Sequence, residues 1–255
     1  MRYIQYEPLP CIEQIQIIEL LPLVDEFSDN FIYIAQNKKK ENVLWYNSRP
    51  IDDECLVDSY KLHHRLSNKI MNYYDSMPSI KSGNESIFAR PKLDIYNLFS
   101  DNRTFVEYLI EIHSHIFQAP SKFRNFPVRT SGHISHETIF YPDCNVIDLE
   151  IENIRSRLNS YARINPYLSA MYAYCSLVTL HPFGDGNGRV GRILFNNIIQ
   201  NAASSDAYFP VYELSYISKR GMTLNLREAR YFGRWYPIIK WFATASTQLR
   251  ITLDS

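Results

Sequence analysis

Apolar residues recur at helical spacing along most of the second half of this chain. Phe105, Leu109, Ile112 and Ile116 form one such set, and Ile151, Ile154, Leu158 and Tyr161, at i, i+3, i+7 and i+10, form another; each marks one buried helix face. From Leu168 to Leu180 the apolar residues point all round, which predicts a helix in the middle of a bundle and is too short for a membrane span. That helix ends at His181. A glycine-rich turn follows, and Ile193, Leu194, Ile198 and Ile199 open the next apolar face, while Trp235, Ile238, Ile239 and Phe242 mark a closing helix. Between the first two helical sets, Arg124 to Cys144 is rich in β-branched and turn residues without a helical period, which predicts a hairpin.

The first part of the chain reads differently. Ile12, Ile15 and Leu20 suggest a short helix. Phe31 to Ala35 and Val43 to Tyr46 flank a polar Gln36 to Asn42 turn like two hairpin strands, and Leu62, Leu66, Ile70 and Tyr73 return to helical spacing. The break falls between the polar stretches Ser79 to Ser86 and Ser100 to Arg103. The expected architecture is therefore mainly α: a smaller N-terminal α+β region over 1–98, of unassigned role, and a helical domain with a short hairpin over 99–250.

Composition narrows the partners. The chain has 255 residues, 45% of them hydrophobic, enough for a full core, and its 27 basic and 27 acidic residues create no global field for nucleic acid or anionic lipid. Four cysteines, Cys11, Cys55, Cys144 and Cys175, lack metal-site spacing and fit a reducing compartment. No stretch resembles a secretory signal or a membrane span, so the expected location is the cytoplasm, or a host cytosol reached by secretion. The histidine pairs His63/His64, His113/His115 and His133/His136 have no second ligand cluster at zinc spacing.

The densest chemistry lies in HPFGDGNGRVGR, residues 181 to 192. Backbone N–H groups of Gly186, Asn187 and Gly188 can form an anion nest at a helix start, where the helix dipole favours negative charge. Arg189 and Arg192, three residues apart, project from one helical face toward the same anion. Asp185 offers a hard oxygen ligand for magnesium, which bridges phosphates with one or two carboxylates and several waters. His181, with a reference pKa of about 6.5, can take a proton from a hydroxyl at neutral pH. The bland alternative, a helix cap followed by an ordinary turn, leaves Asp185, Asn187 and both arginines unexplained.

At these residues the sequence resembles the Fic family, whose signature HPF-x-D/E-GNGR-x-x-R is met at every specified position. The resemblance extends more loosely from about Asn102 to Thr244. Ile112 and His113 look like a helix position of the family, and Lys122, Phe123 and Arg124 look like its GxFR element, with Ser121 in place of the usual glycine. Arg234 to Pro237 with Ile239, Trp241 and Phe242 are similar to its closing aromatic helix.

The resemblance implies a Fic-fold helical bundle with a hairpin flap, and most often a protein adenylyltransferase that moves AMP from magnesium-ATP to a serine, threonine or tyrosine hydroxyl with release of pyrophosphate. His181 would be the base, Asp185 would hold Mg2+, Asn187 would orient the α-phosphate, and Gly186, Gly188, Arg189 and Arg192 would complete the phosphate site. The flap, with Arg129, Thr130, Ser131, Gly132, His133, Ile134, Ser135 and His136, would hold a target protein as an added strand. Gly188 differs from the lysine of relatives that transfer phosphate, and Gly186 from the alanine of those that transfer phosphocholine; transfer of another nucleotide stays open.

Many relatives carry an inhibitory helix with the pattern S/T-x-x-x-E-G/N, which this sequence lacks. No glutamate follows Glu228. The nearest candidate is Glu85, with Lys81 where serine or threonine belongs. Absence of a clear brake favours the transfer direction: either activity is unrestrained, or a partner protein or self-association supplies the restraint. Removal of AMP from a modified protein, and a noncatalytic partner-binding module, are the competing readings.

Overall fold

A computed structural model describes residues 2–37, 94–131, 137–205, 207–211, 214–215, 218 and 221–254. Its centre is the helix that the sequence marks as apolar on every side. This helix, α5 (Pro166–Leu180), starts at Asn165, whose side chain accepts the Tyr167 N–H, and has proline in its first turn, where a missing N–H costs nothing. Thirteen of its residues are buried. It packs against α4 (Ile147–Ile164) on one side and α6 (Asn187–Ala203) on the other.

Around this trio lie α1 (Gln14–Asn37), α2 (Ile95–Ser100), α3 (Asn102–Phe117), α7 (Gly221–Phe232) and α8 (Tyr236–Asp254). The described structure is mainly helical with one small sheet, so the expected fold class holds. Ile151, Ile154, Leu158 and Tyr161 on α4, and Phe105, Leu109 and Ile112 on α3, are all buried as their spacing requires. Trp235 and, on α8, Ile238, Ile239 and Phe242 are completely buried.

One expectation fails. Phe31 to Ala35 is not a strand but the last part of the long helix α1. Phe27, Phe31 and Ile34, at i, i+4 and i+7, turn one face inward, and that burial outweighs the strand preference of a β-branched run. Ile15, counted with the buried face of a short helix, is exposed. Phe27 makes ring contacts with Phe195, Phe209 and Phe242 at centroid distances of 6.1, 5.0 and 6.3 Å, so α1 shares its core with the site-bearing helices. Buried Asn30 fixes the α1–α8 pairing by donating to Ser246 and Thr247 and accepting from Arg250. Val43 to Tyr46, the set Leu62 to Tyr73, and Glu85 lie outside the described residues.

The sheet lies at one end of the bundle. β2 (Arg129–Ser131) and β3 (Glu137–Phe140) pair antiparallel, with Arg129 opposite Phe140, which is the expected hairpin; Gly132, His133, Ile134, Ser135 and His136 lie outside the described residues. A third strand, β1 (Arg2–Gln5), pairs parallel to β3 with Ile4 opposite Ile139, giving the order β1-β3-β2. Nothing in the sequence pattern announced β1.

Candidate active site

The site forms where α5 stops. His181 closes that helix in the left-handed region (φ 54°, ψ 57°), its N–H bonded to the Leu177 carbonyl. Pro182 prevents continuation, and the chain turns toward Asn187, where α6 begins. The capping role expected from the bland alternative is thus filled by the same histidine that the sequence marks as the candidate base.

Arg124 holds this turn. Only 4% exposed, it donates from Nε to the His181 carbonyl at 2.6 Å and from its terminal nitrogens to the carbonyls of Phe126, Pro142 and Leu180. Its own N–H reaches the Pro182 carbonyl at 2.9 Å. The guanidinium fork is what allows one side chain to serve carbonyls from separate segments.

The His181 ring is fixed on both counts that matter for a base. Nδ1 lies 2.9 Å from the Val178 carbonyl, which can only accept, so Nδ1 carries the proton and Nε2 keeps its lone pair. Tyr141, just after β3, stacks on the ring at 3.6 Å between centroids. Burial pushes the imidazole down to about 4, partly opposed by the Val178 bond and reinforced by the nearby Arg124 charge. The ring is therefore neutral near pH 7.

The loop is closed by Asn187, 2% exposed, whose Oδ1 accepts the Phe183 N–H and whose Nδ2 donates to the Phe183 carbonyl. Nδ2 has a second proton, and the Asn187 backbone stands at the start of α6. Gly186 precedes it with φ +77°, and a Cβ there would meet Phe117 at 2.6 Å, so both backbone and space require glycine.

The arginines line the loop from α6. Arg189 lies 4.5 Å over the Phe117 ring and 3.5 Å from Asp185. Arg192 folds back so that its Nη1 would sit 3.1 Å from a Cβ on Gly188, and it interacts with the buried Tyr174 hydroxyl. Asp185 bonds the Gly186 N–H through Oδ1 at 2.6 Å, and its side chain is largely exposed. One open carboxylate beside a helix N-terminus fits magnesium that takes its remaining ligands from phosphates and water. No group of three or more possible metal ligands occurs among the described residues.

His113 is packing and support. It is stacked between Phe183 and Phe117 at 4.0 and 4.6 Å, and Nε2 donates to the Asp185 carbonyl at 3.0 Å. Nδ1 then accepts from the Ser121 hydroxyl, giving a use to the serine that stands where the glycine was expected. Burial lowers the His113 pKa as well. Sequence reasoning missed Tyr141, Phe117 and Arg230. The last reaches Thr179 Oγ1 at 3.0 Å and lies 3.5 Å over the ring of Tyr6. No local pattern marks these residues, because their roles come from neighbours distant in sequence.

The site thus brings together a histidine at a helix end, a glycine turn and an arginine-bearing helix start within a helical bundle. Residues 99–199 match the model of the Fic/DOC family. The sequence is similar to "Protein adenylyltransferase Fic" of Drosophila persimilis, 31% identical over 96 residues, covering 37% of this chain and 18% of that protein. It is also similar to the protein of the same name from Aedes aegypti, 32% identical over 83 residues, covering 32% and 15%. The match thus spans less than a fifth of these curated relatives. A crystal structure of a Fic family protein from Desulfovibrio desulfuricans G20 shares the fold, with a TM-score of 0.54 and 16% identity over 98% of this chain and 76% of that one. Among the described residues, no helix is long and apolar enough to cross a membrane.

Proposed function

We propose that this chain is a protein adenylyltransferase, moving AMP from magnesium-ATP to a hydroxyl of a target protein. The observation that carries the reading is the neutral His181, Nδ1 engaged and Nε2 free for a proton, at the mouth of a loop whose helix start and two arginines suit phosphate. The similarity to proteins named adenylyltransferase supports it.

In this reaction a target serine, threonine or tyrosine oxygen attacks the α-phosphorus while its proton passes to His181 Nε2. The oxygen–phosphorus bond forms, the bond to pyrophosphate breaks, and pyrophosphate leaves. Arg189 and Arg192 offset negative charge on the phosphates, and the N–H groups at the start of α6 face the same charge. Asp185 would hold Mg2+, which when bound neutralises phosphate charge. The hairpin offers backbone groups to an extended target segment.

Incubation with labelled ATP, magnesium and a cell lysate, beside a His181→Ala control, tests the reading. Labelled protein bands are expected only with the intact histidine. Equal labelling by both proteins sinks it.

A further inference from the structure

The hairpin that would receive a target already has a guest. In the order β1-β3-β2, the edge of β3 facing away from β2 is filled by residues Arg2–Gln5 of the chain itself. The pairing runs beyond the strand, for the Tyr6 N–H donates to the Phe140 carbonyl at 2.8 Å.

This edge leads to the base. β3 continues directly into Tyr141, whose ring covers His181, and Tyr6 packs edge-on against Tyr141 at 5.7 Å. A segment running parallel on β3 therefore carries its next residue to a position one ring away from His181. The β2 side lies farther from β1's place by two strand spacings, about 10 Å.

The guest is held unevenly. Tyr3 is 68% exposed, its ring against Phe140 at 5.9 Å, so this side chain of the strand buries little. Past it, the chain is firmly anchored: Tyr6 under Arg230, Leu9 O to Arg157 at 3.0 Å, and Ile12 N–H to the Tyr161 hydroxyl at 2.7 Å. A four-residue strand with a fixed downstream anchor can leave its edge and return without loss of the core.

We propose that β1 is a resident strand on the β3 edge, which an extended segment of the target protein must displace in order to pair with the hairpin. The proposal rests on the adenylyltransferase reading, and names a restraint on that site distinct from an inhibitory glutamate. Pairing through backbone groups would tolerate many target sequences, while the resident strand raises the threshold for all of them.

The test uses Ile4→Pro. Amides alternate along a strand, so with Tyr6 facing Phe140 the Ile4 N–H also faces β3, and proline removes it. A second variant lacks residues 2–5 but keeps Tyr6 and its anchors, and circular dichroism melts check that both fold. Each variant should label lysate proteins at least about threefold faster than the parent with ATP and magnesium. A fluorescein-tagged Arg-Tyr-Ile-Gln-Tyr peptide should bind the variants at least about tenfold tighter than the parent. Labelling that needs His181 but is unchanged in both variants overturns the proposal, as does equal peptide binding by all three proteins. If no protein is labelled at all, the adenylyltransferase reading fails, and peptide binding alone decides whether β1 is a displaceable guest.

Discussion

Tyr141 lies flat on His181, with ring centroids 3.6 Å apart and planes 17° from parallel. The contact removes water from one face of the imidazole, and burial is the largest cause of its depressed pKa. Tyr141→Ala is expected to raise the His181 pKa toward 6.5 and to lower the rate of labelling at least tenfold by loosening the ring. Tyr141→Phe keeps the stack, worth about 0.5–1.5 kcal/mol, and should stay close to the parent. Histidine NMR titration with a His181→Ala spectrum for assignment reads the shift directly.

The pH profile follows from the same depression. Folded, His181 takes a proton only near pH 4; unfolded, at about 6.5. Labelling should hold level from pH 7.5 down to about 5 and fall only as pH approaches 4. Stability moves with it. Above about pH 6.5 the group is neutral in both states and has no effect, whereas between about 6.5 and 4 the unfolded chain binds a proton that the folded chain refuses, so stability is lost as pH falls through that window. Urea midpoints measured at pH 7 and pH 5, in the parent and in His181→Ala, check this: the parent should lose more.

Arg124→Lys tests the clamp under His181. Lysine cannot reproduce a planar fork serving the carbonyls of His181, Phe126, Pro142 and Leu180. Buried acceptors left unpaired cost about 1–3 kcal/mol each, so an overall loss of about 2–4 kcal/mol is expected after local rearrangement. Denaturant unfolding at constant slope measures it.

Gly186→Ala should damage nucleotide binding beyond any strain in the backbone. Its φ of +77° already disfavours a side chain, by about 1–2 kcal/mol, and the new methyl would press into Phe117, the ring under Arg189. Gly233 is the control: φ is +64° with nothing within 4 Å of a Cβ, so Gly233→Ala bears the conformational cost alone. Calorimetric titration with magnesium-ATP should show weakened binding for the first and near-parent binding for the second.

How far the sequence revealed this arrangement depended on the range of the interactions. α5 was legible because a helix buried all round leaves no polar stripe, and the loop was legible because its chemistry sits within twelve consecutive positions. The C-terminal part of α1 was not. Its Phe31 to Ala35 run has strand-like composition, and only the contacts of Phe27 with Phe195 and of Phe31 with Tyr167, on other helices, decide the outcome. β1 was hidden for a similar reason, since four residues at an edge carry no period and take their conformation from β3. Tyr141 could be seen only as part of an extended stretch until the hairpin put it on the histidine.

Arg124 ties together pieces that otherwise meet only at their surfaces. One carbonyl it holds belongs to the residue bearing the base, another to the end of α5, and the others to the segments entering and leaving the hairpin. The hairpin and the histidine are consequently geared to one another through a rigid planar group. A strand that tugs on β3 when it arrives or departs would therefore also tug on the backbone of His181, the residue proposed as the base.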